Sequence, residues 1–311
     1  MKVNFNLYKT NNIYPAFQSE KSRNKNQVQK PIITDKDKIY FHDYMLAKKL
    51  DFKISKKELD NLFQYNSDEF IIRANMLFSD KAGVSEKIAP KLSLQPLPDN
   101  MMMGYSPTDN TILINQKNMY LFSEPDKSKQ RKVKFIFFAA LRHEWQHYLQ
   151  TMDIYRHKTL GDKAVKYYSQ QSTFELLDFS NKIFEKVEEN KDKLGIKIDY
   201  TKIPLLYRFL EFNNTNRLNK LKKNVRKELG IIEPDSELGK KVELSAKTLL
   251  KPHTKGYINH TEEYYDDINE KEARIASYTE LFKSFDEISG MQCFIFNRKI
   301  IDKMAEEGCI I

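Results

Sequence analysis

Cysteine is nearly absent from this chain of 311 residues. Cys293 and Cys309 are the only two, both near the C-terminus, and neither forms a CxxC pair. Two cysteines cannot build a disulfide framework, so free thiols in a reducing compartment are expected. Long apolar runs are missing too. Nothing approaches the roughly 18 apolar residues that a membrane-spanning helix requires. The opening "MKVNFNLYKTNNIYPAF" contains no apolar stretch of signal-peptide length. These absences predict a soluble, cytoplasmic chain with no membrane partner, and they leave a signal-independent export route open. There is no internal repeat and no Gly/Ser linker.

What is present suits a packed interior. Hydrophobic residues make up 40% and aromatics 12%, with 17 Tyr and 20 Phe, which excludes global disorder. The net charge is +9, but its excess is mostly lysine interspersed with acidic residues along the chain. That texture favours solubility over a dedicated nucleic-acid site. The densest basic stripe, Arg217, Lys220, Lys222, Lys223, Arg226 and Lys227, reads as a solvated helix face.

Residues 1–35 are polar and rich in Asn, Lys and Gln, and read as a mobile tail; residues 36–80 read as a small helical lead-in. Within the lead-in, Ser55 and Glu58 form a Ser-x-x-Glu capping box. Pro, Gly and Asp-Asn turn signals then surround short β-prone runs. Leu92–Leu97 and Thr111–Asn115 are the expected strands, with "SPTDN" as the turn of a hairpin. A long helix is expected from about Pro125 to about Met152, with Ser123 as its cap and Gly161 beyond its end. Its centre, Phe135 to Leu141, is apolar on all sides and therefore buried. Residues 162–250 read as almost wholly helical, with one helix from Ser172 to a stop at Gly195, and a last helix starts near Asp267. The fold class expected is α+β: mainly helical, with a small sheet beside the long helix.

That long helix carries "RHEWQHYLQ", residues 142–150. Positions i and i+4 share a helix face, so His143 and His147 can present two imidazoles to one cation. Glu144 projects about 100° round the axis, within reach of a water on that cation but not as a ligand. Zinc accepts imidazole nitrogens, lowers the pKa of its water, and leaves a neighbouring carboxylate to move the proton. The competing reading is two surface histidines sharing a face by chance. The buried setting argues against it, because an unpaired interior histidine is costly. Trp145, the only tryptophan, reads as a packing residue, and His42 and His157 as structural.

HExxH on such a helix resembles the zincin metallopeptidases. The resemblance implies a zincin-like domain over residues 81–311, with a helical insertion at about 162–258. It further implies one Zn2+ per chain and a polypeptide substrate beside an edge strand, here Thr111–Asn115. It also implies that Glu144 acts as general base and then general acid. The metzincin pattern HExxHxxGxxH is not met, since Gln150 stands at the glycine and Asp153 at the last histidine. The gluzincin alternative draws its third ligand from a second helix, and Glu270 is the preferred residue. Ala273, Ala276 and Ser277 beside it are small enough for two helices to approach closely. The "E-K-E-A-R" segment also looks like the E-x-E-A of small bacterial and phage-associated HExxH peptidases. Glu272, Glu175 and Asp153 remain alternatives, and Glu270 could instead complete a capping box with Asp267. His253, Tyr257, His260, Tyr264 and Tyr265 are candidates for stabilising an oxyanion. The rival function is a catalytically silent, zincin-shaped protein that binds nucleic acid or a protein partner.

Overall fold

The structure, a computed structural model, describes residues 54–98, 101–123, 125–195, 199, 202–252 and 267–277. The described residues open with two helices, α1 (Lys56–Leu62) and α2 (Ser67–Ala82). The expected capping box is present: Ser55 accepts from the Glu58 N–H, and the Glu58 side chain accepts from Ser55. Asn66 caps α2, and Gly83 ends it in the left-handed conformation at φ 63° that a side chain disfavours.

Three strands follow: β1 (Lys91–Gln95), β2 (Met103–Ser106) and β3 (Thr111–Asn115). Their order is β1-β3-β2, with β1 and β3 parallel and β2 and β3 antiparallel. The hairpin turn lies where "SPTDN" places it, and Asn110 adopts φ 52°, a conformation asparagine tolerates. One expectation needs correcting. Thr111–Asn115 is the central strand, hydrogen-bonded on both sides, and offers no edge to an extended peptide. β3 has alternating Ile112 and Ile114 for the core, and both neighbours pair with it.

After a 3-10 segment, Gln116–Ser123, the long helix α3 spans Lys127–Arg156. Its cap is Asp126, whose carboxylate accepts from the Lys129 N–H at 3.2 Å, rather than Ser123. Every residue from Phe137 to Tyr155 is buried, so α3 is the axis of the molecule. Each large apolar side chain fully buried there contributes about 1.5–3 kcal/mol. Phe138 stacks on Phe78 of α2 at 4.8 Å, and Trp145 packs against Phe78 and Tyr148 while donating to Asn75.

The segment beyond α3 is helical: α4 (Leu160–Glu189), α5 (Lys191–Leu194), α6 (Ile203–Leu229) and α7 (Glu237–Leu249). α4 starts a full twelve residues before Ser172, because nothing between Leu160 and Ser172 breaks a helix. Gly161 sits in its first turn, where a Cβ would fall 2.5 Å from the Arg226 guanidinium and 2.7 Å from the Tyr155 carbonyl oxygen. α8 (Ile268–Ser277) returns to pack along α3. No helix among the described residues is long and apolar enough to cross a membrane.

Candidate metal centre

α3 and α8 build the site together. On α3, residues 143 and 147 lie one turn apart, and their Nε2 atoms approach to 3.0 Å. α8 is fixed at both ends. Asn269 joins it to Ser245 and Thr248 of α7, and the Ser277 hydroxyl donates to the Ala139 carbonyl at 2.8 Å. Ala273 and Ala276, both fully buried, keep the two helices close. Glu270 is thereby brought to 3.5 Å from His143 Nε2 and 3.4 Å from His147 Nε2.

Ligand atoms of His143, His147 and Glu270 all lie within 4.8 Å of one another, and this buried group can hold a metal ion. A tetrahedral ion with bonds near 2.0–2.1 Å separates its ligand atoms by roughly 3.3 Å. The two imidazole nitrogens are 3.0 Å apart, and each faces its own oxygen of the Glu270 carboxylate, His143 at 3.5 Å from Oε2 and His147 at 3.4 Å from Oε1, spacings close to that value. Glu270 is thus the third candidate ligand, and the capping reading of Asp267 is satisfied as well. Asp267 accepts from the N–H groups of Asn269 and Glu270 at 2.8 and 3.2 Å, which leaves the Glu270 side chain to face the imidazoles.

The other carboxylates lie elsewhere. Asp153 pairs with Arg156 at 3.0 Å. Glu175 lines a groove of about 420 Å³ between the hairpin tip, α4 and α6, which contains none of the site residues. Glu272 is buried one layer behind the candidate ligands, where it accepts from Gln150 at 2.5 Å. His157 accepts the Leu160 N–H on Nδ1, a structural role as expected. His42, His253, Tyr257, His260, Tyr264 and Tyr265 lie outside the described residues.

Burial sets the electrostatics. Desolvation pushes His143 down to about 4, only partly opposed by Glu270, so its imidazole is neutral near pH 7. Desolvation acts on His147 too, but the Glu270 carboxylate, Glu144 and Gln150 outweigh it and raise the group to about 9. Burial likewise works against an ionised Glu270, yet His147 and His143 hold it well below the usual carboxylate range. Arg274, one turn along α8 and 3.6 Å from Glu270, adds a second positive charge. Glu144 is pushed up to about 8 by burial, opposed by His147 and reinforced by Glu270. The Tyr105 main chain on β2 favours its ionised form to a lesser degree. Neither Glu144 oxygen has a hydrogen-bond partner among the described residues.

Two contributors escape a motif search. Gln150 and Arg274 lie against the candidate ligands His147 and Glu270, but neither belongs to an HExxH pattern. A polar residue one turn beyond His147 was the signal for the first; a cation at i+4 from Glu270 was the signal for the second. The basic stripe is half spent inside the fold. Arg217 binds Thr108 and Asp109, Lys222 pairs with Asp162, and Arg226 donates to the Tyr155 and His157 carbonyls. Lys220, Lys223 and Lys227 remain exposed. Comparison with known proteins finds no match: no family model, curated protein or solved structure is significantly similar to the chain.

Proposed function

We propose that the chain is a zinc-dependent metallopeptidase in which His143, His147 and Glu270 hold the ion and Glu144 transfers protons. The observation that carries this reading is the convergence of Glu270, from a helix remote in sequence, on the two imidazoles of HExxH. Two nitrogens and one carboxylate oxygen form a donor set that suits zinc. Three protein ligands are the number a catalytic zinc site uses, whereas structural sites take four. Bound there, the ion supplies Lewis acidity and acidifies a water.

Glu144 supports the same reading. A buried carboxylate without a hydrogen-bond partner has no packing reason to be there. Beside a cation, it is suited to accept the proton of an attacking water and return it to the departing amine nitrogen. One observation favours the alternative of a metal-holding protein without turnover. His143, Glu144, His147 and Glu270 are between 0 and 3% exposed, so a polypeptide reaches them only if surrounding elements part. β2, the strand next to α3, is buried over Met103–Tyr105 and provides no open dock.

The separating experiment measures metal content and hydrolysis of a mixed peptide library by wild type and Glu144→Gln. The peptidase reading expects about one zinc per chain in both, and a loss of rate of about 10²–10⁴-fold in the variant. Hydrolysis that survives Glu144→Gln removes the mechanism. A zinc-loaded wild type without any hydrolysis favours the silent alternative.

A further inference from the structure

The sequence marks Gln150 only as a departure from the metzincin pattern, but the fold gives it three partners. It lies on α3 one turn beyond His147 and is 1% exposed. Its Oε1 is 2.9 Å from His147 Nδ1. Its Nε2 is 3.1 Å from the Asn269 carbonyl oxygen and 2.5 Å from Glu272 Oε2.

These partners determine which way round the amide sits. A main-chain carbonyl only accepts, so the atom facing Asn269 must be the NH₂. Turning the amide over would press an oxygen against a carbonyl and a carboxyl together in a dry interior. The atom facing His147 is therefore an acceptor, and His147 Nδ1 must carry the hydrogen. A neutral His147 then has its lone pair on Nε2, the atom beside His143 and Glu270. The same amide also grips α8 at Asn269, the residue next to Glu270. Asn269 is held in turn by Ser245 and Thr248 of α7. Gln150 thus ties α3 to α8, and Asn269 ties α8 on to α7, through a side chain that touches no reacting atom.

We propose that Gln150 is the positioning residue of the metal centre, locking His147 in the tautomer that presents Nε2 and keeping the Glu270 helix in register with it. This rests on the metal-binding part of the reading above and not on hydrolysis. A residue that merely filled space would be replaceable by an isosteric apolar side chain. A tautomer lock would not, and its donor and acceptor could be exchanged across the Gln150–Glu272 pair.

The test uses the full chain with zinc as the probe and reads affinity by competition with a chromophoric chelator. Gln150→Met should weaken zinc binding by about 10–100-fold, the usual cost of losing a partner behind a metal-binding histidine. Gln150→Glu combined with Glu272→Gln restores an acceptor toward Nδ1 at unchanged total charge but not the donor to the Asn269 carbonyl, and should recover part of that loss. Zinc affinity in a folded Gln150→Met variant within about twofold of wild type would overturn the assignment. A second measurement needs no variant. Long-range proton–nitrogen spectra of the zinc-loaded wild type should show His147 protonated at Nδ1 and ligated through Nε2, and the reverse pattern also overturns it. A ring spectrum indifferent to zinc sinks the metal reading together with this one. Absent hydrolysis, with the spectrum and affinities as expected, sinks only the peptidase.

Discussion

The α3–α8 interface and the outer part of the α4–α6 pair are both helix against helix, and they are built on opposite terms. Every residue from Phe137 to Tyr155 is buried, and among the polar ones His143, His147 and Gln150 face imidazole, carboxylate or amide groups. From Phe174 to residue 213, no described residue is buried. Phe174, Leu205, Phe209 and Phe212 are each more than 60% exposed, and among the described residues Phe174 finds its ring partner in Tyr207 of the facing helix. Both regions have the periodicity of amphipathic helices, but only the first uses it to exclude water. Chemistry that depends on low dielectric belongs in that first region. The second is a projecting pair of helices whose order is its own affair.

The comparison predicts unequal responses to substitution. The largest is expected for Glu270→Ala, which should abolish stoichiometric zinc, read by elemental analysis. In the metal-free protein it should also cost about 3–5 kcal/mol in denaturant unfolding, because it leaves the His147 charge buried without its partner. Phe138→Ala should cost a similar or slightly smaller amount, about 3–5 kcal/mol, by opening a cavity against Phe78. The same deletion at Phe209, 62% exposed, should stay within about 0.5 kcal/mol. If Phe209→Ala were as damaging as Phe138→Ala, the contrast between the two regions would be wrong.

A smaller effect concerns pH. His147 is raised to about 9, so below that pH zinc must displace its proton, whereas His143, held near 4, gives up none. Zinc affinity should therefore improve by about tenfold per pH unit between 6 and 8 from the His147 proton alone. The metal-free fold should change the other way. A raised histidine lends stability that is fully present below its unfolded value of 6.5 and is lost as the pH rises through about 9. Melting temperatures with and without zinc should diverge over that window. An affinity flat from pH 6 to 8 would mean that His147 is not charged in the metal-free state.

The sequence made some of this visible and hid the rest for identifiable reasons. His143, Glu144 and His147 were legible because their geometry is local, set by one helix. Glu270 was legible through its small neighbours Ala273, Ala276 and Ser277, which signal a close helix approach. The Asp267 half of the expected capping box uses only the Glu270 backbone, which leaves the Glu270 carboxylate in the group that can hold a metal ion. Strand position was not legible: whether Thr111–Asn115 is central or at an edge depends on which strands flank it, and no local pattern encodes that. The role of Gln150 was hidden for the same reason, since two of its partners, Asn269 and Glu272, arrive from α8. Nor does periodicity tell a helix face that meets the core from one that meets solvent, so the exposed phenylalanines of α4 and α6 could not be foreseen.

The near-total enclosure of the two imidazoles and their carboxylate has a kinetic meaning. An ion seated there leaves no faster than the protein around it opens, so its residence time is a property of the fold as well as of the three bonds. Were the site filled, its occupant would reflect the cation at hand when the chain folded, and later changes in the surrounding pool would be felt slowly.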